Sequence, residues 1–435
     1  MTDSLVASTP GVDPGQPDAV DDDGLIEAPP PAGPPRVSVL LVAHNAAATI
    51  GGSIRAVLLQ SFADFELVIV DDCSTDGTME VARGFDDPRI RLLSTPRHLG
   101  AAAARNIGFD ACEGRYVAPI APGDEPLPCR LARQTAFLDL HTDCALVATA
   151  TERLTDGKRV AAPEAAQTSP AFLRWALLLG NPLVWSSVLL RRSAVHMAGG
   201  LHRENRGGAE DFDLYHRLVQ IGSVARIDEV LTLYQHPQPA PLAQADPRPG
   251  EAAARMLADA ALVLREAYEP ILGPGAARAA GIMARHVGHG EPVPDIATLQ
   301  LIVALLPALA RWARSAGGVD EVGRALIASQ RAALLRRLVR AALRSGAVSV
   351  AALHRAGLLH HAQLSLGELG RGAALGFVRG ARAAVRQEEG GGSAPRPRRA
   401  GPGPTYLVSG SGPCPAGSRG GAPALLTSQH LSPLA

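Results

Sequence analysis

Glu66-Leu67-Val68-Ile69-Val70-Asp71-Asp72-Cys73-Ser74-Thr75-Asp76-Gly77-Thr78 is an apolar run that stops abruptly at two acids. Residues 67–70 are short, continuous and mostly β-branched, which suits a strand buried on both faces of a parallel sheet. Asp71 and Asp72 then fall at the carboxyl end of that strand, where open α/β sheets bind ligands. Ser74 to Gly77 carry turn and helix-cap chemistry, and residues 78–83 can begin a helix. Two carboxylates placed there accept hydrogen bonds from a base N–H, a ribose hydroxyl or a metal-bound water. A polar turn with a capping Asp has the same local sequence, so the neighbouring elements decide.

Upstream, residues 37–42 read as a second buried strand, ending in Ala43-His44-Asn45. Residues 49–60 place Ile50, Ile54, Val57 and Leu58 on one helical face. Two such strands joined by one helix make a right-handed parallel βαβ unit. Downstream, residues 89–93 predict a third strand, 101–106 a helix and 116–120 a fourth strand. A helix over 129–140 and a strand over 145–150 follow. Arg105, on a helix near the ligand face, could pair with phosphate or simply be solvated.

Charge and composition set the outer limits. The formal net charge of the 435 residues is zero, so no global field favours nucleic acid or a membrane. Residues 1–35 hold seven acids and no base, are rich in Pro and Gly, and predict disorder. The five cysteines show no CxxC pair or metal-ligand spacing, as expected of reduced thiols in a cytosolic protein. The N-terminus has no signal-peptide pattern. Residues 299–313 make the longest apolar run, too short for a spanning helix and interrupted by Pro307 and Arg311.

The ordered set Val39-Leu40-Leu41-Val42-Ala43-His44-Asn45, Gln60-Ser61-Phe62, Val70-Asp71-Asp72-Cys73-Ser74-Thr75-Asp76-Gly77-Thr78, Ala104-Arg105-Asn106-Ile107-Gly108, Gly114-Arg115-Tyr116 and Gly208-Ala209-Glu210-Asp211-Phe212-Asp213-Leu214-Tyr215-His216-Arg217 resembles family 2 glycosyltransferases over roughly residues 36–236. The resemblance implies an α/β, GT-A-like, Rossmann-type mixed sheet flanked by helices. It also implies a nucleotide-sugar donor, a UDP-sugar foremost, and usually a divalent metal (Mn or Mg). Carried over by position, Ala43 and Asn45 lie in the first nucleotide-contacting loop. Asp71 and Asp72 hold the base and ribose, and Arg105 lies near the phosphates.

At the metal motif the sequence departs from the family. Anchored on Tyr116 and Pro128, the two acidic positions fall on Ala121 and Gly123, and Asp124-Glu125 follow at once. A hard cation needs oxygen ligands beside the diphosphate. Three readings stay open: Asp124 supplies the metal carboxylate, the enzyme uses Arg and helix N-termini instead, or the site is degenerate. An ordinary acidic turn before a helix accounts for Asp124-Glu125 equally well locally. His236, in a segment resembling the family's closing Tyr-Arg-x-His, is a second candidate at the metal or diphosphate.

On the acceptor side, residues 171–179 predict a helix, 188–190 a short strand, 191–197 a helix and 212–220 another. Asp211 is the candidate general base, taking the acceptor hydroxyl's proton as that oxygen attacks the anomeric carbon. Glu210 orients or assists it. Both are also ordinary acids of a first helical turn. Residues 224–233 read as strand-turn-strand with Asp228-Glu229 in the turn. After a linker at 237–250, residues 251–387 predict Ala-, Leu- and Arg-rich helices, and 388–435 a disordered tail. Those helices would pack on the catalytic part, with peripheral membrane contact at the cytoplasmic face as an alternative.

The whole reads as a cytoplasmic inverting transferase acting on a sugar, lipid-linked or protein acceptor, with no nucleic acid. The alternative is a catalytically impaired relative that binds nucleotide-sugars or acts as a scaffold. A Rossmann oxidoreductase lacks support, because no GxGxxG follows a strand here.

Overall fold

The computed structural model describes residues 33–155, 158–161, 168–203, 206–235, 249–315 and 321–359. His236, most of the 1–35 and 237–250 segments, and the 388–435 tail lie outside the described residues, as does the part beyond residue 359 of the helical region expected over 251–387.

The chain opens with β1 (Val37–Ala43), α1 (Ile50–Leu58), β2 (Phe65–Asp71), α2 (Thr78–Arg83), β3 (Ile90–Ser94), α3 (Ala101–Ala111) and β4 (Tyr116–Ile120). β1 pairs in parallel with β2 on one side and β4 on the other, and β2 pairs in parallel with β3. The strand direction of growth therefore reverses beside β1, and the crevice between β1 and β4 is the topological switch point where such sheets bind ligands. β2 is buried along its whole length. Its alternation serves both faces: Leu67 and Ile69 pack with Ile50 and Ile54 of α1, while Val68 and Val70 pack with Ala104 and Phe109 of α3. A Cβ on Gly108 would lie 2.4 Å from Leu40 Cδ1 and 2.8 Å from Val70 Cγ2. Glycine is thus what lets α3 settle onto the sheet.

The remaining strands are β5 (Glu125–Pro126), β6 (Cys144–Thr155), β7 (Lys158–Ala161), β8 (Leu189–Arg191) and β9 (Ser223–Gln235). They extend the sheet in the order β3-β2-β1-β4-β8-β6-β9-β5, with β7 on β6. β8 runs antiparallel to β4 and β6, so the sheet is mixed. The turn expected at Asp228-Glu229 is not a turn. β9 runs straight through, and the two acids bulge out where the pairing passes from Thr149↔Ile227 to Ala150↔Val230. Extra residues on one strand are accommodated by a bulge without ending the ladder.

Between the strands lie α4 (Arg130–Leu140), α5 (Pro170–Leu177), α6 (Arg192–Met197) and α7 (Glu210–Ile221). α8 (Pro249–Leu272), α9 (Ala276–Ile282), α10 (Ile296–Ser315), α11 (Glu321–Ser345) and α12 (Val350–Arg355) follow, with one π-helical segment at Met283–Gly288. One apolar core runs from Val68 and Val117 on the sheet, through Trp175 of α5 and Tyr215 of α7, to Tyr268, Leu306 and Leu338. The Tyr268 hydroxyl donates to the Leu178 carbonyl, and Glu266 pairs with Arg203 and Arg206.

The run expected to be too short for a membrane is in fact the middle of α10, 20 residues long and apolar enough to cross one by length and composition. Pro307 does not end that helix. Its Leu299, Ile302, Leu306 and Leu309 are buried against the rest of the chain, and Trp312 lies 4.6 Å under the Arg174 guanidinium of α5.

Candidate active site

The carboxyl ends of β1 and β2 form the first half of the site. Asn45 sits in the left-handed region at φ 50° and Cys73 at φ 55°. The Asn45 amide oxygen accepts from Thr75 N at 2.8 Å, while its own backbone N–H donates to Ser74 Oγ at 2.9 Å. Thr78 Oγ1 accepts from Ala46 N at 2.7 Å, and the Ala43 carbonyl accepts from Asp72 N at 2.8 Å. The loops after β1 and β2 are thereby laced into one unit, and Ala43 and Asn45 act through backbone placement and bracing.

The two adjacent acids part company. Asp72 turns under the loop that follows β3. Its Oδ1 accepts from Thr95 Oγ1 at 2.8 Å and Leu99 N at 2.9 Å, and its Oδ2 from Gly100 N at 2.8 Å, with His98 Nδ1 at 2.9 Å. Burial alone would raise this carboxyl, but the bonds from Leu99, Thr95 and Gly100 outweigh it and hold the group below the usual carboxylate range. Its acceptor capacity is filled within the protein. Through these bonds Asp72 fixes the entry to α3. Asp71 differs. Among the described residues its Oδ1 is buried with no hydrogen-bond partner, and its Oδ2 has only Ser74 N at 3.4 Å. An unpaired buried carboxylate oxygen is costly unless a ligand or water pairs it.

The turn at the end of β4 holds Asp124. Gly123 adopts φ 94°, and a Cβ there would lie 2.9 Å from Gln235 Oε1. Gly123 N donates to Ser53 Oγ at 2.9 Å, and Ser53 Oγ donates to the Asp124 carbonyl at 2.8 Å. Asp124 is 6% exposed. Its Oδ1 accepts from Gln235 N at 2.8 Å, and its Oδ2 accepts from Ser186 Oγ. Both oxygens are turned inward, so Asp124 is a brace between β4, β9 and the Ser186 turn. No cluster of three or more His, Cys, Asp or Glu side chains suited to a metal occurs among the described residues. Among the described residues, which do not include His236, no set fits the divalent ion that the family resemblance implies, and no step below runs through one. Burial pushes Asp124 up to about 6 and the neighbouring Arg130 down to about 10, so both are charged at neutral pH.

The second half gathers around the start of α7. Asp211 Oδ2 accepts from Asn181 Nδ2 at 2.9 Å, and Oδ1 accepts from Phe212 N at 2.8 Å. Burial raises the Asp211 carboxyl, against lowering by the Phe212 N–H, the Arg105 charge and Asn181. Burial raises Glu210 likewise. Arg105 reaches this half from α3, its guanidinium 5.0 Å over the Trp185 ring. The structure thus brings Arg105, Glu210 and Asp211 together. Three neighbours were not singled out in the sequence: Asn181, which bonds the Asp211 carboxylate; His202, which burial lowers to about 3 and which packs 5.2 Å from Trp185; and Trp185 itself. Asn106 fixes His202 through its backbone, at 3.0 and 2.9 Å.

The sequence model described as Glycosyl transferase family 2 matches residues 38–194. The chain is 30% identical over 193 residues to EpsE of Bacillus subtilis (strain 168), whose glycosyltransferase assignment is itself provisional. That match covers 43% of this chain and 68% of EpsE. It is 40% identical over 105 residues to the succinoglycan biosynthesis protein ExoO of Rhizobium meliloti (strain 1021), covering 24% of this chain and 30% of ExoO. To the UDP-Glc:alpha-D-GlcNAc-diphosphoundecaprenol beta-1,3-glucosyltransferase WfgD of Escherichia coli it is 36% identical, over 23% of this chain and 40% of that one. The chain thus spans under a third of ExoO and under half of WfgD. It belongs to glycosyltransferase family 2 and has a GT-A-like fold.

Proposed function

We propose that the protein is an inverting glycosyltransferase that moves a sugar from a UDP-sugar to an acceptor hydroxyl on the cytoplasmic side. The observation that carries the reading is Asp211. It is a partly buried carboxylate with a raised proton affinity, aimed by Asn181, on the wall of a cavity of about 680 Å³. In one displacement, Asp211 takes the acceptor hydroxyl's proton and that oxygen bonds to the anomeric carbon. The bond from that carbon to the diphosphate oxygen breaks on the opposite face, and UDP leaves with the electron pair. Arg105 faces the charge that builds on the diphosphate. Asp71 Oδ1 takes a hydrogen bond from the nucleoside, supplying the partner it lacks within the chain. The uridine preference is carried over from the name of WfgD.

A second reading, a relative that binds nucleotide-sugar without turning it over, is favoured by the inward-facing Asp124. Calorimetric titration of UDP tests the donor half for both readings. Asp71→Ala weakens UDP about tenfold or more, the loss of a charge-assisted hydrogen bond. Equal affinity in the two proteins removes Asp71 from the donor site.

A further inference from the structure

A buried histidine ordinarily finds a partner for at least one ring nitrogen, because a neutral imidazole carries one N–H donor and one acceptor. His216 on α7 and His286 in the π-helical segment follow that rule, through the Leu177 carbonyl at 3.0 Å and the Glu291 carbonyl at 3.1 Å. His202 does not. It is 7% exposed, and both its ring nitrogens are buried without a hydrogen-bond partner. Among the described residues it is the one side chain with two such atoms. Its place is nevertheless fixed, since Asn106 of α3 holds both its backbone N–H and its carbonyl. Burial first and the Arg105 charge second keep the ring neutral, against a weaker upward pull from the Glu210 backbone, which lies outside hydrogen-bonding geometry. An unpaired donor and acceptor on one fixed, buried ring are costly, and a ligand that pairs with them removes that cost.

The neighbours of the ring say which ligand. It packs 5.2 Å from Trp185, whose indole carries the Arg105 guanidinium at 5.0 Å, and it lies beside the backbone of Glu210, the residue before Asp211. Arg105 faces the leaving diphosphate and Asp211 the attacking hydroxyl, so the sugar in transit lies between them. From this we infer that His202 reads the transferred sugar of the donor, its imidazole pairing with a hydroxyl of that ring, an uncharged group that donates and accepts in the same way. This rests on the roles proposed for Arg105 and Asp211 and deepens them. His202 moves no proton and makes no bond to carbon; it sets which sugar is held. One side-chain movement goes with this role, because the ring nitrogens are closed to solvent. Arg105 makes no hydrogen bond or ion pair among the described residues, so it can leave the indole for the diphosphate as the donor enters.

The test is calorimetric titration of the full chain with UDP, UDP-glucose, UDP-galactose and UDP-N-acetylglucosamine, in wild type, His202→Leu and His202→Gln. Leucine is close to the imidazole in volume but has no polar atom, whereas glutamine keeps a donor and an acceptor. In wild type at least one UDP-sugar binds more tightly than UDP. His202→Leu weakens that UDP-sugar about fivefold, the worth of one neutral hydrogen bond, and leaves UDP affinity within about twofold. His202→Gln restores most of the loss. Deoxy analogues of the preferred donor then locate the hydroxyl: one of them binds wild type about fivefold more weakly, and His202→Leu no more weakly than it binds the parent, as a double-mutant cycle requires. Equal loss of UDP and UDP-sugar in His202→Leu makes the ring a packing element and overturns the inference. So does a wild type that holds no UDP-sugar more tightly than UDP, or a full set of deoxy analogues that lose the same factor in both proteins. Wild type that fails to bind UDP at all undermines the transferase reading instead, so the two failures are distinct.

Discussion

Replacing Asp211 by Asn lowers kcat by about 10²–10⁴-fold, the usual worth of a positioned general base, and leaves UDP affinity unchanged. The amide preserves shape and can still meet Asn181, but it cannot take a proton. The size of the loss follows from what surrounds the carboxylate. Asn181 and the Phe212 N–H hold it in one orientation, and burial raises its proton affinity above that of an ordinary Asp. A stronger base at a fixed angle is what proton removal from a sugar hydroxyl requires. The sign of the pH dependence follows from the same shift. Protonation disables the base, so the wild-type rate falls as pH drops through the raised value, at a higher pH than an unperturbed Asp would give. Steady-state kinetics across pH 4 to 9 with wild type and Asp211→Asn reads both effects. A variant with wild-type kcat, or one that keeps the same acid limb, removes Asp211 from the chemistry.

Replacing Asp124 by Ala destabilises the fold by about 2–5 kcal/mol, because the Ser186 hydroxyl and the Gln235 N–H each lose a buried acceptor. The Tm drops on the order of 10 °C. The wild type also carries a pH signature. The folded state holds the Asp124 proton with a pKa of about 6, against about 3.9 in an unfolded chain. The fold therefore binds more protons than the unfolded state between those values, and stability declines as pH rises through the window. The decline is about 2–3 kcal/mol, complete by about pH 7. Asp124→Asn removes this slope. Thermal melts at pH 4, 5, 6 and 7 measure it. Asp124 acting as a metal ligand predicts the opposite pattern: a Tm close to wild type, and loss of any manganese-dependent tightening of UDP.

These two residues show where the sequence was legible and where it was not. β4 and α2 fall on the residues their patterns predict, and β1, β2 and β3 within one or two, because continuous β-branched runs have few alternatives. α8 begins two residues before the helical region predicted from 251. The failures are of orientation and of distance. Asp71 and Asp72 are adjacent, so their side chains project differently, and only one keeps an oxygen without a partner. No composition argument tells them apart. The acids at Asp228-Glu229 mark a bulge because β6 continues beside them, a fact belonging to the partner strand. Asp124 has the residue type of a ligand, but a positive-φ glycine before it and acceptor-seeking groups 62 and 111 residues away turn it inward. Asn181 lies 30 residues from the carboxylate it bonds, and the cavity wall lies still further along the chain.

The measurement that bears most directly on the account is the anomeric configuration of the product. Turnover of a UDP-α-sugar with an alkyl glycoside acceptor, followed by proton NMR from the first minutes, gives it without reference to any mutant. A single displacement driven by Asp211 predicts a β-linked product formed in step with UDP. An α-linked product contradicts it, because retention requires a second displacement that one base at Asp211 does not supply.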